Sequence, residues 1–243
     1  MTPNRDEGPA RVGPAYLRPT PWPLNHGYTN DTRGDGSIVL KRYRGPDRAA
    51  RRRREHTMLD RLCGLLPVPP LLGGDEYGAR LGFVAGVHGQ ELIEAGHAPP
   101  VMRACGQMLR RLHEIDPAQV FPDTTRHPQQ VIVHGDYGPN NILLDPETFA
   151  VTAVLDWEWA HPGDPVEDLA WCEWIVRMHH HKHIAALDEL FDAYGKRPAW
   201  ALRHEAMLAQ CRMLIDLCQR WTAGAANLWR HRLNLTATWT EPG

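Results

Sequence analysis

The sequence has no long hydrophobic run and no apolar segment near its start. No stretch approaches the ~18 apolar residues that would cross a bilayer. The first residues, MTPNRDEGPARVGP, are instead rich in charge, proline and glycine. We therefore expect a protein of the cytoplasm, without a membrane span, a membrane partner or an export signal.

Cysteine is scarce, and no two cysteines form a Cys-x-x-Cys pair. The five cysteines are an odd number, and the simplest interpretation is reduced, buried thiols. Cys211 and Cys218 are seven residues apart, which should place them on one face of a helix.

Apolar residues, in contrast, are plentiful enough for a large core. Hydrophobic residues make up 42% of the 243 positions, which suits one large or two-lobed domain and argues against a disordered chain. Strand patterns dominate the first part of the chain, and helical spacing dominates everything after about residue 165. This order of elements predicts an α+β fold with two lobes.

The first part of the chain predicts a sheet followed by a helix. Residues 1–23 are rich in proline, glycine and arginine and suggest a poorly ordered arm. Residues 25–43 have the pattern of two strands joined by a turn at Arg33–Gly36. A helix should then begin near Pro46 and stop near Pro67.

A run of arginines and a histidine-rich stretch are each candidates for a binding site. The four consecutive arginines Arg51–Arg54 resemble a nucleic-acid-binding cluster, but no second basic cluster or aromatic platform accompanies them. A solvated helix face is the better interpretation, and we expect no nucleic-acid partner. The stretch HHHKH at residues 179–183 lacks a carboxylate or cysteine at ligand spacing, which favours a solvent-facing helix end over a metal site.

One short stretch concentrates more polar chemistry than a turn needs. The sequence HGDYGPNN, residues 134–141, lies between the apolar runs VIV and ILL and is expected on the loop of a hairpin formed by these two short strands. A later apolar run, VTAVL, ends at Asp156. Strands that pair across LLDPETFAVTAVLD would bring Asn141 beside Asp156.

This pairing would assemble the parts that phosphoryl transfer needs. An asparagine oxygen at Asn141 and a carboxylate at Asp156 are hard oxygen ligands of the kind that Mg²⁺ shares with substrate phosphates. Asp136 would stand close by and could orient or deprotonate an attacking hydroxyl. Phosphoryl transfer from a nucleotide depends mostly on such positioning and charge neutralisation.

The stretch VHGDYGPNNILLD…VLDWEWAHPGDPVEDLAW resembles the catalytic core of the aminoglycoside phosphotransferase family, also called the phosphotransferase enzyme family, which has a protein-kinase-like fold. Its His-Gly-Asp-x-x-x-x-Asn motif corresponds to the His-Arg-Asp-x-x-x-x-Asn loop of kinases. The resemblance implies that Asp136 is the general base and that Asn141 and Asp156 bind Mg²⁺. It also implies that His134 and Asp168 fix the shape of the loop.

The resemblance extends to the predicted first lobe. It implies that Lys41 binds the nucleotide phosphates and that Glu55, on the following helix, holds this lysine in place. The other nucleotide contacts that it implies are Gly27, Thr29 and Asn30, and the hinge residues Val84 and Ala85. The nucleotide lobe would then cover residues 24–86, and residues 87–243 would carry the catalytic loop, the metal site and the acceptor-binding helices.

The acceptor is expected to be a small molecule. Only seven residues separate Asp156 from Asp164, which leaves no room for the activation segment with which a protein kinase docks a peptide. We predict a Mg²⁺-dependent transfer of the γ-phosphoryl of ATP or GTP to a hydroxyl of a small polar molecule, by a monomer or homodimer. An antibiotic of the aminoglycoside type is the leading acceptor. The alternatives are a metabolic kinase for choline, homoserine or a sugar, and an inactive nucleotide-binding relative.

The surroundings of the acceptor stay open at this point. Trp171 and Trp174, three residues apart, are predicted to be core residues, whereas Trp157 and Trp159 fit a pocket lining as well as a core. Acidic residues of the predicted C-terminal helices could meet an amine-rich acceptor or be solvated. These residues are Glu173, Asp188, Glu189, Asp192 and Asp216.

Overall fold

A five-stranded antiparallel sheet forms the first part of the computed structural model, which describes residues 22–23, 30–122, 127 and 129–241. Its strands lie in the order β1-β2-β3-β5-β4. They are β1 (Trp22–Pro23), β2 (Asp31–Gly34), β3 (Ile38–Arg42), β4 (Leu71–Gly74) and β5 (Gly78–Gly82). Most of the predicted arm, together with Gly27 and Thr29, lies outside the described residues.

The predicted pair of strands and its turn are confirmed as β2 and β3. The Asp35 carboxylate accepts hydrogen bonds from the backbone amides of Ser37 (2.9 Å) and Ile38 (2.7 Å), as aspartate commonly does in turns. Side chains alternate across a strand, so Lys41 is buried while Leu40 is exposed on the opposite face. The strand therefore directs Lys41 into the interior.

Helix α1 (Arg48–Leu62) confirms the predicted helix between the two prolines. Its buried positions include Arg51 and Glu55 beside an apolar stripe that ends at Leu62. The prediction that Arg51–Arg54 form a solvated face was wrong for Arg51, which is only 2% exposed. The physical reason is a buried carboxylate partner, Glu158, from a distant part of the chain.

A short linker at residues 83–86 connects the first sheet to β6 (Val87–His88). It contains Val84, which is half-buried, and Ala85, which is exposed. Gly86 has φ +153°, and a Cβ there would lie 2.5 Å from the Thr152 hydroxyl. Only glycine lets the linker pass this close to the second part of the chain.

Two small antiparallel sheets flank the loop at residues 134–141. Strand β7 (Val131–Val133) pairs with β10 (His161–Gly163), and β8 (Ile142–Leu144) lies between β6 and β9 (Val151–Val154). The strands on either side of the loop therefore belong to different sheets, and the interpretation of this region as one hairpin was wrong. Three-residue strands carry too little pattern to specify a partner.

The pairing of β8 with β9 confirms the other strand prediction. Ile142 lies opposite Val154, and the backbone carbonyl of Asn141 accepts a hydrogen bond from the amide of Leu155 at 2.8 Å. Asn141 therefore lies opposite Leu155, the residue next to Asp156, as the strand spacing predicts.

The rest of the chain is helical, as predicted. The helices after the linker are α2 (Gly89–Glu94), α3 (Ala98–His113), α4 (Val166–His179), α5 (Leu187–Tyr194), α6 (Trp200–Gln219) and α7 (Ala223–Ala237). The predicted apolar stripe of α3 is buried at Val101, Leu109 and Leu112. Among the described residues, no helix combines the length and apolar character that a membrane crossing would require.

The cysteine and histidine predictions hold with one exception each. All five cysteines are free thiols, and Cys63 alone among them is exposed. Cys211 and Cys218 share the buried side of α6, as expected. In the histidine stretch, His179 and His181 are exposed, but His180 is buried, because it sits where the chain turns from α4 into a 3₁₀ turn packed against that helix.

Candidate active site

His134 sets the shape of the loop that follows β7. Its Nε2 donates a hydrogen bond to the Leu155 carbonyl at 2.9 Å, and its Nδ1 accepts one from the Asp136 amide at 3.2 Å. These bonds require a neutral ring with its proton on Nε2. Burial lowers the pKa of His134, which favours this neutral form.

Asp168, at the start of α4, braces the same loop. Its carboxylate accepts hydrogen bonds from the amides of His134 (2.8 Å) and Gly135 (3.0 Å), and from His113 Nε2 at 3.2 Å. Burial opposes its ionisation, but these donors hold the pKa of Asp168 below its ordinary value. Gly135 has φ +81°, and a Cβ there would lie 2.7 Å from the Trp159 carbonyl. The loop therefore needs glycine at this position.

The Asp136 carboxylate is held at both oxygens. Oδ1 accepts a hydrogen bond from Trp171 Nε1 at 2.8 Å, and Oδ2 accepts one from Asn141 Nδ2 at 2.9 Å. Burial and the nearby charge of Asp156 raise the pKa of Asp136 to about 7, against the effect of these two donors. A divalent cation beside Asp156 would oppose that increase.

Lys41 lies between two carboxylates from different parts of the chain. Its Nζ is 2.6 Å from Glu55 Oε2 and 2.6 Å from Asp156 Oδ1. Burial alone would lower the pKa of Lys41, but the negative charges of Asp156 and Glu55 raise it well above its ordinary value. The predicted ion pair between Lys41 and Glu55 is present, and Tyr43 supports it with a 2.6 Å hydrogen bond to Glu55.

Asp156 and Asn141 offer the oxygen ligands that Mg²⁺ prefers. Asp156 follows β9 with φ +65°, a left-handed conformation that is uncommon outside glycine and concentrates at functional sites. The side-chain nitrogen of Asn141 donates hydrogen bonds to the Asp136 carbonyl at 2.8 Å and to Asp136 Oδ2 at 2.9 Å, and neither bond involves the side-chain oxygen. Carboxylate oxygens of Glu55, Asp156 and Glu158 also lie within 4.8 Å of one another. This donor set fits a hard divalent cation.

Glu158 is a site residue that sequence reasoning missed. It is fully buried, and its Oε1 accepts hydrogen bonds from Arg51 Nη1 at 2.9 Å and from Asn30 Nδ2 at 3.1 Å. Burial and the charge of Asp156 raise the pKa of Glu158 to about 7. An acidic residue between two tryptophans, two positions after Asp156, was the available signal. Through Glu158, helix α1 and the residue before β2 are bound to the segment that follows Asp156.

The nucleotide contacts predicted for Asn30, Val84 and Ala85 are not tested by their positions in the structure. The Asn30 side-chain nitrogen donates a hydrogen bond to Glu158, and its oxygen accepts one from the Arg44 backbone amide at 3.2 Å. Phosphate binding by Asn30, and nucleotide binding at Val84 and Ala85, stay predictions.

The two tryptophans that follow Asp156 differ in their burial. Trp157 is fully buried, lies 4.6 Å from the ring of His134 at a tilt of 55° and donates a hydrogen bond to the Val154 carbonyl, so it is a core residue. Trp159 is half-buried, with the Arg51 guanidinium 5.3 Å from its ring centre. Trp171 is buried as predicted, but its contact with Asp136 was missed.

The buried pair of Arg51 and Glu158 should be essential for stability. Replacing Arg51 by methionine leaves a buried carboxylate without its cationic partner, and we expect a loss of about 3–5 kcal/mol in the free energy of unfolding. Urea unfolding monitored by tryptophan fluorescence measures this loss. The matched control is Arg53→Met on the exposed side of the same helix, which should change stability by less than about 0.5 kcal/mol. Equal losses in the two variants would show that the pair contributes no special stability.

Known proteins with the same fold cover nearly the whole chain. A GDP complex of aminoglycoside 2'-phosphotransferase-IIIa matches 89% of this chain and 92% of its own, with a TM-score of 0.69 and 13% identity. A macrolide 2'-phosphotransferase from Brachybacterium faecium matches 92% of this chain and 94% of its own, with a TM-score of 0.56 and 20% identity. At these identities the likeness establishes the fold, which is the two-lobed, kinase-like α+β fold of these enzymes.

Sequence comparison adds a partial relative and a family. Acyl-CoA dehydrogenase family member 11 of Rattus norvegicus is 29% identical over 143 residues, which take in 52% of this chain but only 17% of the rat protein. The model of the phosphotransferase enzyme family matches residues 23–130 and 119–206. These two segments include β3 with Lys41, the loop at residues 134–141 and Asp156. The chain belongs to the phosphotransferase enzyme family.

Proposed function

We propose that the chain is a Mg²⁺-dependent kinase that transfers the γ-phosphoryl of ATP or GTP to a hydroxyl of a small molecule. The observation that carries this proposal is the contact of Lys41 with both Glu55 and Asp156 at 2.6 Å, beside a carboxylate at Asp136 that is held at both oxygens. Phosphoryl transfer requires a cation at the phosphates, a metal ligand and a base close together, and these contacts support Lys41, Asp156 and Asp136 in those three roles.

Each residue has a task that follows from its contacts. Lys41, oriented by Glu55, would neutralise the nucleotide phosphates. Mg²⁺ held by Asn141 and Asp156 would supply further charge neutralisation at the phosphates when bound. Asp136 would orient the acceptor hydroxyl and take its proton.

Some of the supporting residues would hold the catalytic loop, and others would contact the nucleotide. His134 and Asp168 would keep the catalytic loop in shape through their bonds to its backbone. The nucleotide lobe would comprise residues 24–86, with further contacts to the nucleotide at Gly27, Thr29, Asn30, Val84 and Ala85. Residues 87–243 would carry the catalytic loop and the acceptor helices.

An antibiotic is the leading acceptor, since the structural neighbours are aminoglycoside and macrolide phosphotransferases. One observation bears on which type. Glu173, one of the acids considered as a partner for an amine-rich acceptor, is buried and bonded to Arg177 and Arg203, so it is not available to an acceptor. Asp188 and Glu189 form ion pairs at the surface with Arg197 and Arg103, and Asp192 and Asp216 are exposed. The choice between an aminoglycoside and a macrolide is therefore made by the acceptor panel below.

A metabolic kinase for choline, homoserine or a sugar is the second candidate, because the burial of Glu173 against Arg177 and Arg203 removes one acid that would favour a polycationic antibiotic. It would share every catalytic residue named above and differ only in the acceptor pocket. A catalytically inactive relative is disfavoured by the intact set of Lys41, Glu55, Asp136, Asn141 and Asp156.

An acceptor panel separates these possibilities. ADP or GDP release by the purified chain should be measured with macrolides, aminoglycosides, choline, homoserine and sugars. We expect acceptor-dependent release that stops when EDTA removes Mg²⁺ and returns when Mg²⁺ is added back. Tight nucleotide binding without transfer to any member of a broad panel would contradict the proposed activity.

A further inference from the structure

The carboxylate of Asp136 receives one hydrogen bond from within its own loop and one from outside it. Asn141, five residues on, donates to Oδ2 at 2.9 Å, whereas Trp171 on α4 donates to Oδ1 at 2.8 Å. An ionised carboxylate offers about four acceptor positions, so two donors leave room for an acceptor hydroxyl. Together the two donors fix the rotation of the carboxylate plane.

The Trp171 indole is itself held by an aromatic stack. Its ring lies 4.4 Å from that of Trp174 at an angle of 8°, and Trp229 on α7 lies 6.1 Å from Trp171 and 5.5 Å from Trp174. The Arg232 guanidinium sits 4.6 Å from the centre of the Trp229 ring. This stack ties the indole that contacts Asp136 to helix α7.

Trp174 is a natural comparison for Trp171. Both side chains are almost fully buried in the same stack and three residues apart on α4. The indole N–H of Trp174, however, donates to the Thr236 hydroxyl at 2.8 Å and not to the catalytic loop. Core packing accounts for both rings, but it does not account for the direction of the Trp171 N–H.

We propose that Trp171 is a positioning residue for phosphoryl transfer, whose indole N–H holds the Asp136 carboxylate in the orientation that receives the acceptor hydroxyl. The proposal rests on the proposed function, because it assigns Asp136 the role of base. Removing the N–H while keeping an aromatic ring should let the carboxylate rotate away from that orientation. Misplacement of a reacting group by about 1 Å can lower a rate by about 10²-fold.

The first test is the Trp171→Phe variant. We expect kcat to fall by about 10–100-fold, with KM for the nucleotide unchanged because Lys41, Glu55 and Asp156 are untouched. Thermal unfolding of the variant verifies that it is folded, and Trp174→Phe measures the cost of losing a buried indole N–H from the same stack. A kcat loss no larger in Trp171→Phe than in Trp174→Phe would overturn the proposal.

A double-mutant cycle with Asp136→Ala separates positioning from packing. If Trp171 acts through the Asp136 carboxylate, Trp171→Phe should cause no further loss of kcat in the Asp136→Ala variant, which already lacks that carboxylate. Trp174→Phe should cause the same factor of loss in both backgrounds. An equal loss from Trp171→Phe with and without Asp136 would assign Trp171 a packing role only.

A spectroscopic test requires no turnover. In protein labelled with ¹⁵N-tryptophan, the indole N–H resonance assigned by Trp171→Phe should move strongly in Asp136→Ala, while the Trp174 resonance should move little. An unmoved Trp171 resonance would overturn the proposal. Absence of transfer by the wild-type chain on every acceptor would instead refute the proposed function, so the two failures are distinguishable.

Discussion

Replacing Asp136 by alanine is expected to lower kcat by about 10²–10⁴-fold. The acceptor hydroxyl would lose the carboxylate that orients it and takes its proton. Nucleotide affinity should be nearly unchanged, because Lys41 keeps its contacts with Glu55 and Asp156. Nucleotide release measured with an identified acceptor gives kcat, and calorimetric titration with a non-hydrolysable nucleotide gives the affinity.

Asp60→Ala is the matched control, since Asp60 is an exposed aspartate on α1 and belongs neither to the candidate site nor to the acids considered for acceptor binding. Its kcat should equal that of the wild type. Retained turnover in Asp136→Ala would remove Asp136 from the chemistry. Loss of nucleotide binding in the same variant would show that its effect lies in the structure of the loop.

Replacing Asp156 by asparagine is expected to lower kcat by about 10²-fold or more, and by a different route. Asp156 is both a proposed metal ligand and one of the two carboxylates that contact Lys41. Its loss should therefore weaken binding of the Mg²⁺–nucleotide complex as well as turnover. Asp136→Ala, in contrast, should spare binding.

The measurement that distinguishes the two variants is nucleotide affinity with and without Mg²⁺. The wild type and Asp136→Ala should bind the nucleotide more tightly when Mg²⁺ is present, whereas Asp156→Asn should lose most of that gain. If Mg²⁺ strengthens nucleotide binding equally in Asp156→Asn, the ion is held elsewhere.

The parts of the site that were predicted lie close together in the chain. The family resemblance predicted the pair of Lys41 and Glu55, which are 14 residues apart on one strand and the helix that follows it, and strand pairing predicted the approach of Asn141 to Asp156. Asn141 and Asp156 meet because β8 and β9 are joined by a short turn. Such contacts follow from regular secondary structure and from short connections.

The contacts that sequence analysis missed join distant segments. Arg51 and Asn30 reach Glu158 across 107 and 128 residues, and Trp171 reaches Asp136 across 35. A charged residue on a helix is usually solvated, and it is buried only where an oppositely charged or hydrogen-bonding partner lies beside it. Spacing within one segment cannot reveal that partner. For the same reason, the two strands beside the catalytic loop were paired with each other in error.

The central claim is that Asn141 and Asp156 hold one divalent cation beside Asp136 and the terminal phosphate of a nucleotide. Manganese anomalous scattering from crystals grown with Mn²⁺ and a non-hydrolysable nucleotide tests it most directly. We predict a peak at about 2.1 Å from the Asn141 amide oxygen and from an Asp156 carboxylate oxygen, in contact with the phosphates. A peak bound by Glu55 or Glu158 without Asn141, or Asn141 and Asp156 too far apart to share one ion, would contradict it.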